Sequence, residues 1–245
     1  GVCDDARTAR GAMTPRASGH TAVMNQRSEA PDSADDFPTP PWSTRALLVD
    51  VLPRLGLSIE GARVWEPAAG RGIMSMVIEE FGAHVFASDV SEYGCTIAGD
   101  RVLDAVGSFV GEGPDVAQWR CRGAAPLDWV ITNPPFRLAA DFFERGIAEA
   151  ERVALLVRSN WAEGVDRYER IFSKHPPLAV AQFVERVPMV RGRWDPDAST
   201  ATAYAWFVWQ RDSMIETRML WIPPGRRQAL TRPDDVRRFA LQEAT

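Results

Sequence analysis

The sequence is short of cysteine, histidine and lysine. Its three cysteines, Cys3, Cys95 and Cys121, stand far apart with no paired spacing, which argues against a zinc site or a disulfide framework. His20, His84 and His175 are as scattered, so no metal site is expected. No apolar run approaches the roughly 18–20 residues that span a bilayer. No basic-then-apolar signal pattern opens the chain. These absences lead to the expectation of a cytoplasmic protein without membrane contact. Lys174 is the only lysine, so arginine carries nearly all the positive charge. The net charge of −5 does not by itself mark a nucleic-acid binder.

What is present fits one sizeable domain. The 245 residues are 45% hydrophobic and 25% charged, ordinary for a globular chain with a proper core. Residues 151–245 carry 15 basic and 12 acidic groups, whereas the remainder carries 13 basic and 21 acidic. Residues 1–35 are rich in Ala, Ser, Thr, Asp and Arg with no apolar period, and read as a disordered arm. Order is expected from residue 36, giving a single domain over 36–245 that ends in a short Arg-rich surface tail after Pro223.

The pattern then alternates. A helix is predicted over Ser43–Leu55, with Ser43 as N-cap and Leu47, Leu48, Val51 and Leu52 buried. Strands are predicted at 62–66, 84–89, 127–132 and 153–157, and helices at 72–81 and 139–151. Residues 91–127 resist assignment. After residue 175 the segments 178–184 and 203–209 read as strands and 218–222 as a short edge strand. The fold class is α/β: a mostly parallel sheet, helices on both faces, and an antiparallel C-terminal ending.

Three groups of residues can carry chemistry. Glu66-Pro67-Ala68-Ala69-Gly70-Arg71-Gly72 falls where a strand meets a helix, at the sheet edge where open α/β folds bind ligands. Ser75 stands where a dinucleotide fingerprint wants a third glycine, and no Gly-Lys-Ser/Thr follows. An acid before the glycines suits a cationic ligand better than a pyrophosphate. Asp89 ends the next strand and can accept both hydroxyls of a ribose. Together these describe a nucleoside site without phosphates.

The third group is Asn133-Pro134-Pro135-Phe136, directly after an apolar strand. Two prolines stiffen the backbone and remove two donors. The Asn133 amide oxygen and the Pro134 carbonyl are left to accept hydrogen bonds. Two acceptors gripping a planar amino group localise its lone pair and stabilise the charge that develops as the nitrogen is alkylated. Phe136 offers a flat face for stacking. Arg191-Gly192-Arg193-Trp194 is the best candidate for phosphate contacts through Arg191 and Arg193 and for base stacking on Trp194. Trp206 and Trp209 read as core.

Over residues 37–210 the chain resembles the class I S-adenosylmethionine-dependent methyltransferases, with their Rossmann-like fold. Asn133 to Phe136 resembles the catalytic motif of the N6-adenine DNA methyltransferases. Phe37-Pro38-Thr39-Pro40-Pro41-Trp42 resembles their N-terminal cofactor-side motif, and the motif order is that of the phage and prophage type. The resemblance implies S-adenosyl-L-methionine as cofactor. It would be held by Thr39, Pro40, Glu66, Pro67, Ala68, Gly70, Gly72, Asp89 and Val90, with Ser108 and Phe109 near the adenine. Ser108 departs from the family's usual acid there. Asn133, Pro134, Pro135 and Phe136 would be catalytic, the implied partner DNA.

A ribosomal RNA amino group or a protein glutamine amide would suit the same motif, although the glutamine enzymes typically end it in Tyr. A non-catalytic methyltransferase-like domain that binds nucleic acid or a partner is favoured only by Ser108. Cytosine C5 methylation needs a poised cysteine nucleophile. Neither Cys95, in Tyr-Gly-Cys-Thr, nor Cys121, in Arg-Cys-Arg, has that setting.

Overall fold

The structure, a computed structural model, describes residues 36–91, 93, 103–110 and 127–240. The expected arm over 1–35, all three cysteines and most of the unassigned 91–127 stretch lie outside the described residues. Among the described residues eight strands form one sheet: β1 (Arg63–Glu66), β2 (His84–Asp89), β3 (Ala105–Val106), β4 (Leu127–Thr132), β5 (Ala150–Arg158), β6 (Ala179–Phe183), β7 (Tyr204–Gln210) and β8 (Arg218–Ile222). Their order is β3-β2-β1-β4-β5-β7-β6-β8. Neighbours from β3 to β5 are parallel, β7 runs antiparallel to both β5 and β6, and β8 is a parallel edge strand on β6. The mostly parallel sheet and its antiparallel ending are those expected from the residue pattern.

Period-two alternation sorts the central strands onto two apolar cores. Trp129, Ile131, Ala154, Leu156, Trp206 and Val208 face one layer with the N-terminal helix. Val130, Val153, Leu155, Val157, Phe207 and Trp209 face the other, against Phe142 and Phe143 of α3 (Ala139–Glu149). Both faces are covered, so β5 and β7 read as nearly continuous apolar runs. Trp206 and Trp209 are core residues, as expected. Their indole N–H groups are satisfied by the carbonyls of Ser43 and His175.

Four local expectations change. The first helix, α1 (Pro41–Ala46), starts before Ser43, because Pro41 is already set for a first helical turn. The Ser43 hydroxyl donates back to the Pro40 carbonyl at 2.7 Å instead of capping. The helix then widens into a π-turn over Leu47–Val51 and tightens into a 3-10 turn over Pro53–Leu55. The second helix, α2 (Ile73–Glu79), begins after Gly72 rather than at it. Strand β3 was not foreseen: two residues carry no period, and register with β2 alone defines it. The tail after Pro223 is not all surface, since α5 (Arg226–Leu230) and α6 (Asp235–Phe239) follow a helical turn, α4 (Val165–Arg167), and Asp235 and Phe239 are buried. Among the described residues no helix is long and apolar enough to cross a membrane.

Candidate active site

Strand order reverses between β1 and β4, which opens a crevice at the carboxyl ends of the strands. Glu66, Asp89 and Asn133 end or follow β1, β2 and β4, so the sheet brings three distant parts of the sequence to one edge. The cleft, counted with the space it opens to solvent, spans roughly 440 Å³ and is lined by Phe37, Thr39, Glu66, Ala68, Gly70, Asp89 and Asn133 among others.

The glycine loop is held from beneath. Gly70 and Gly72 both adopt positive φ, 53° and 73°. A Cβ on Gly70 would meet nothing within 4 Å, so backbone conformation rather than crowding demands glycine there. The Gly70 amide donates to Asp89 at 2.8 Å and the Gly72 amide to the Ala69 carbonyl at 2.7 Å. Glu66 is buried and accepts from the Ser75 hydroxyl. Ser75, the residue that breaks a dinucleotide fingerprint, therefore holds the acid that precedes the loop.

Asp89 is only 6% exposed. Burial pushes its carboxyl above the ordinary aspartate range. Amide donors from Gly70, Ser91 and Val90 pull the other way, and the charge of Asp36 adds to the rise. A carboxylate has about four lone-pair sites, so Asp89 can accept from a ligand while anchoring the loop.

The segment before α1 straps the cleft. Asp36 pairs with Arg71 at 2.9 Å, and its carbonyl accepts the Gly192 amide at 2.8 Å. Neither Asp36 nor Tyr93, which also lines the cleft, was singled out from the sequence. Each is one polar residue in an unpatterned stretch, and only the chain path brings it here.

Asn133 also lines the cleft. Its amide nitrogen faces the Phe37 carbonyl at 3.4 Å and the Met189 sulfur at 3.5 Å. Its Oδ1 is buried and, among the described residues, accepts no hydrogen bond. An orphaned buried acceptor costs about 1–3 kcal/mol. The Pro135 carbonyl accepts from the Leu138 amide at 2.9 Å and closes the turn into α3. Phe136 is half-buried, with Phe37 and Tyr204 at centroid distances of 6.3 and 6.4 Å and the Arg158 guanidinium carbon 4.2 Å from its ring centre.

Of the cofactor residues named by resemblance, Thr39, Glu66, Ala68, Gly70 and Asp89 line the cleft with Asn133. Pro40, Pro67, Gly72 and Val90 adjoin these in the chain without lining it. Ser108 turns its hydroxyl to the Val110 carbonyl, and Phe109 packs into the core against Trp65 and Phe142. Neither lines the described cleft. Arg191 and Arg193 are exposed. Trp194 is corrected: it is 4% exposed and packs with Ile73, Val77 and Phe239, so it has no face to offer a base.

No family model matches the sequence, and no curated protein matches it. Solved structures do. A candidate RNA methyltransferase from Pyrococcus horikoshii superposes with a TM-score of 0.51 at 18% identity, covering 72% of this chain and 87% of that one. The methyltransferase subunit of a type I restriction-modification system from Streptococcus thermophilus gives 0.50 at 10% identity, covering 78% of this chain. The chain spans 48% of that subunit's length. This is the class I methyltransferase fold. At these identities the likeness concerns the fold alone.

Proposed function

We propose that the chain transfers a methyl group from S-adenosyl-L-methionine to the exocyclic N6 amine of adenine in DNA. The unpartnered, buried Oδ1 of Asn133 beside the glycine cleft carries this reading. A buried acceptor without a donor is complementary to an incoming N–H. It precedes a Pro-Pro pair that lacks backbone donors of its own.

The cleft suits the cofactor. Asp36, Glu66 and Asp89 make it acidic, and the one arginine lining it, Arg71, is tied to Asp36. That charge favours a sulfonium and disfavours a pyrophosphate. Thr39, Glu66, Ala68, Gly70 and Asp89 would hold the nucleoside and amino-acid parts. When bound, the cofactor supplies an electrophilic methyl on sulfur.

Asn133 Oδ1 and the Pro134 carbonyl would grip the two amine hydrogens and draw the nitrogen toward tetrahedral geometry. The same two acceptors would stabilise the positive charge on the nitrogen as it takes the methyl group from the sulfonium, and the acidified nitrogen would pass its extra proton to water. The base must leave its stack to reach a site this recessed.

Two structural neighbours support a nucleic-acid substrate in different ways, one being named for RNA and the other belonging to a restriction-modification system. Phe136, where the glutamine-amide enzymes carry Tyr, favours a nucleobase over a protein amide. Tritium transfer from labelled cofactor to DNA, to RNA and to release-factor substrates separates these. Label is expected in DNA, at N6-methyladenine after digestion. Label only in RNA or protein would overturn the substrate assignment. No cofactor binding by calorimetry would favour a non-catalytic domain.

Asp89 makes the cofactor site pH-sensitive. Its raised carboxyl protonates while exposed aspartates, at about 3.9, are still charged. Calorimetric affinity for S-adenosylmethionine should therefore begin to fall on acidification above that value. Asp89→Asn should bind about tenfold more weakly, consistent with one charge-assisted hydrogen bond, and lose this acid limb. The same shift makes ionised Asp89 destabilising at neutral pH, a cost relieved as pH falls through its raised value.

A further inference from the structure

Arg158 is the last residue of β5, at the carboxyl edge of the sheet beside β4 and directly opposite Tyr204 of β7. Its guanidinium carbon stands 4.2 Å from the centre of the Phe136 ring. Among the described residues no carboxylate pairs with it, and its Nε is buried without a hydrogen-bond partner. Two hydroxyls at the carboxyl ends of β4 and β5 share that state among the described residues. Thr132 Oγ1, at the end of β4 and fully buried, has no partner, nor has Ser159 Oγ, the next residue in the chain.

Most other arginines inside this fold are neutralised. Arg45 bonds Glu80 and Asp235, Arg71 pairs with Asp36, and Arg226 with Asp50. Arg211 spends its donors on the carbonyls of Ile147, Ala148 and Ala150. Arg152 also has an unpartnered Nε, but it lies at the amino end of β5 over Trp129. Six residues of strand separate it from Arg158, about 20 Å.

An unpaired, partly desolvated guanidinium is costly unless a ligand supplies the anion. Stacking on Phe136 occupies the flat face of the group and leaves its in-plane N–H fork available. That fork matches two oxygens of a phosphate. We propose that Arg158 binds a backbone phosphate of the polynucleotide whose base is presented to Asn133. The proposal rests on the nucleic-acid reading above and deepens it. A flipped nucleotide brings a phosphodiester to the strand edge with its base, whereas a glutamine side chain brings no anion. It also changes the role of Phe136, which orients the arginine on one face as well as meeting the base.

The test is fluorescence anisotropy of short fluorescein-labelled DNA and RNA with the full chain, from about 50 to 200 mM salt. Arg158→Gln should bind about tenfold more weakly at low salt. The slope of log affinity against log salt should become shallower by about 0.7–0.9, one released counterion. Arg158→Lys should recover the slope but not the full affinity, because a point charge replaces a bidentate fork. Lys174→Gln removes an exposed charge from the segment before β6 and should change neither quantity. In turnover, Arg158→Gln should raise KM for the polynucleotide more than it lowers kcat. Wild-type binding with an unchanged slope in Arg158→Gln overturns the proposal. Recovery of neither slope nor affinity by Arg158→Lys would make the residue a packing element and overturn it too. Failure of the wild type to bind either polymer would instead overturn the nucleic-acid reading itself.

Discussion

Asn133→Ala should lower kcat by at least about 10²–10³-fold, the cost of losing one preorganised polar group aimed at developing charge. The site geometry separates this loss from cofactor binding. Asn133 lines the cleft from the end of β4, and its amide nitrogen is held by the Phe37 carbonyl and the Met189 sulfur. The nucleoside contacts are assigned to Asp89 and the Gly70 loop, on β2 and β1. Calorimetric affinity for S-adenosylmethionine should therefore change by no more than about threefold, the effect of an exposed-surface substitution of about 0.5 kcal/mol. The variant also removes a buried unsatisfied oxygen, so its Tm should hold or rise slightly. A variant with weakened cofactor binding and full turnover at saturation would contradict the role assigned to Asn133. Stability retained alongside lost turnover is the mark of a polar atom kept for chemistry.

Asp235→Ala should be the most destabilising single change, by about 3–5 kcal/mol, because it strips one side of a buried ion pair. The Arg45 guanidinium is 2% exposed and has five N–H donors. All five are used: two go to Asp235 at 2.6 and 2.7 Å, two to Glu80 at 2.9 and 3.0 Å, and one to the Leu230 carbonyl at 2.7 Å. Burial works against the Arg45 charge, and the hydrogen bonds to Asp235 and Glu80 outweigh it. The clasp ties α6 and the end of α5 to α1 and to the end of α2. Those helices border the two segments that frame the cleft.

For a domain of this size the loss corresponds to a Tm lower by roughly 10 °C. Arg238→Ala, which removes a more exposed partner of Glu80, should cost about 1 kcal/mol or less. Equal losses in the two variants would show that the clasp is no more than a surface network. Glu80 adds a pH dependence. Burial raises its pKa, but Arg45, Arg238 and Arg232 outweigh that and hold it below the usual glutamate range. Its stabilisation is complete above about pH 4.3 and is lost as pH falls through the lower folded value.

Much of the fold was legible because its signals are local and repeated. Strands β2, β4 and β8 ended where the apolar runs end, and β5 and β7 differed by one to three residues at their ends. The alternation that separates Trp129 from Val130 and Trp206 from Phe207 follows from pleat geometry alone. Strand β3 carried no such signal, since Ala105–Val106 is defined only by its pairing with Ser88 and Asp89. The first helix moved because Pro41 outranks Ser43 as a starting residue. The motif at Trp194 misled for a related reason. A tryptophan between arginines reads as a stacking face until Ile73, Val77 and Phe239 are seen to enclose it.

For the site, the sequence alone determined the kinds of group available: an acid before a glycine turn, a second acid ending a strand, and an Asn-Pro-Pro-Phe run after an apolar strand. Each is a short-range pattern whose chemistry follows from backbone freedom, charge and acceptor count. The tertiary structure decided which of them share a cleft, and it added Ser75 beneath Glu66, Asp36 across Arg71 and Arg158 against Phe136. These partners come from other strands, helices and loops. Nothing in the spacing of Phe136 and Arg158 along the chain marks them as neighbours. They meet because β4 and β5 lie side by side in parallel register and release both residues at the same edge of the sheet.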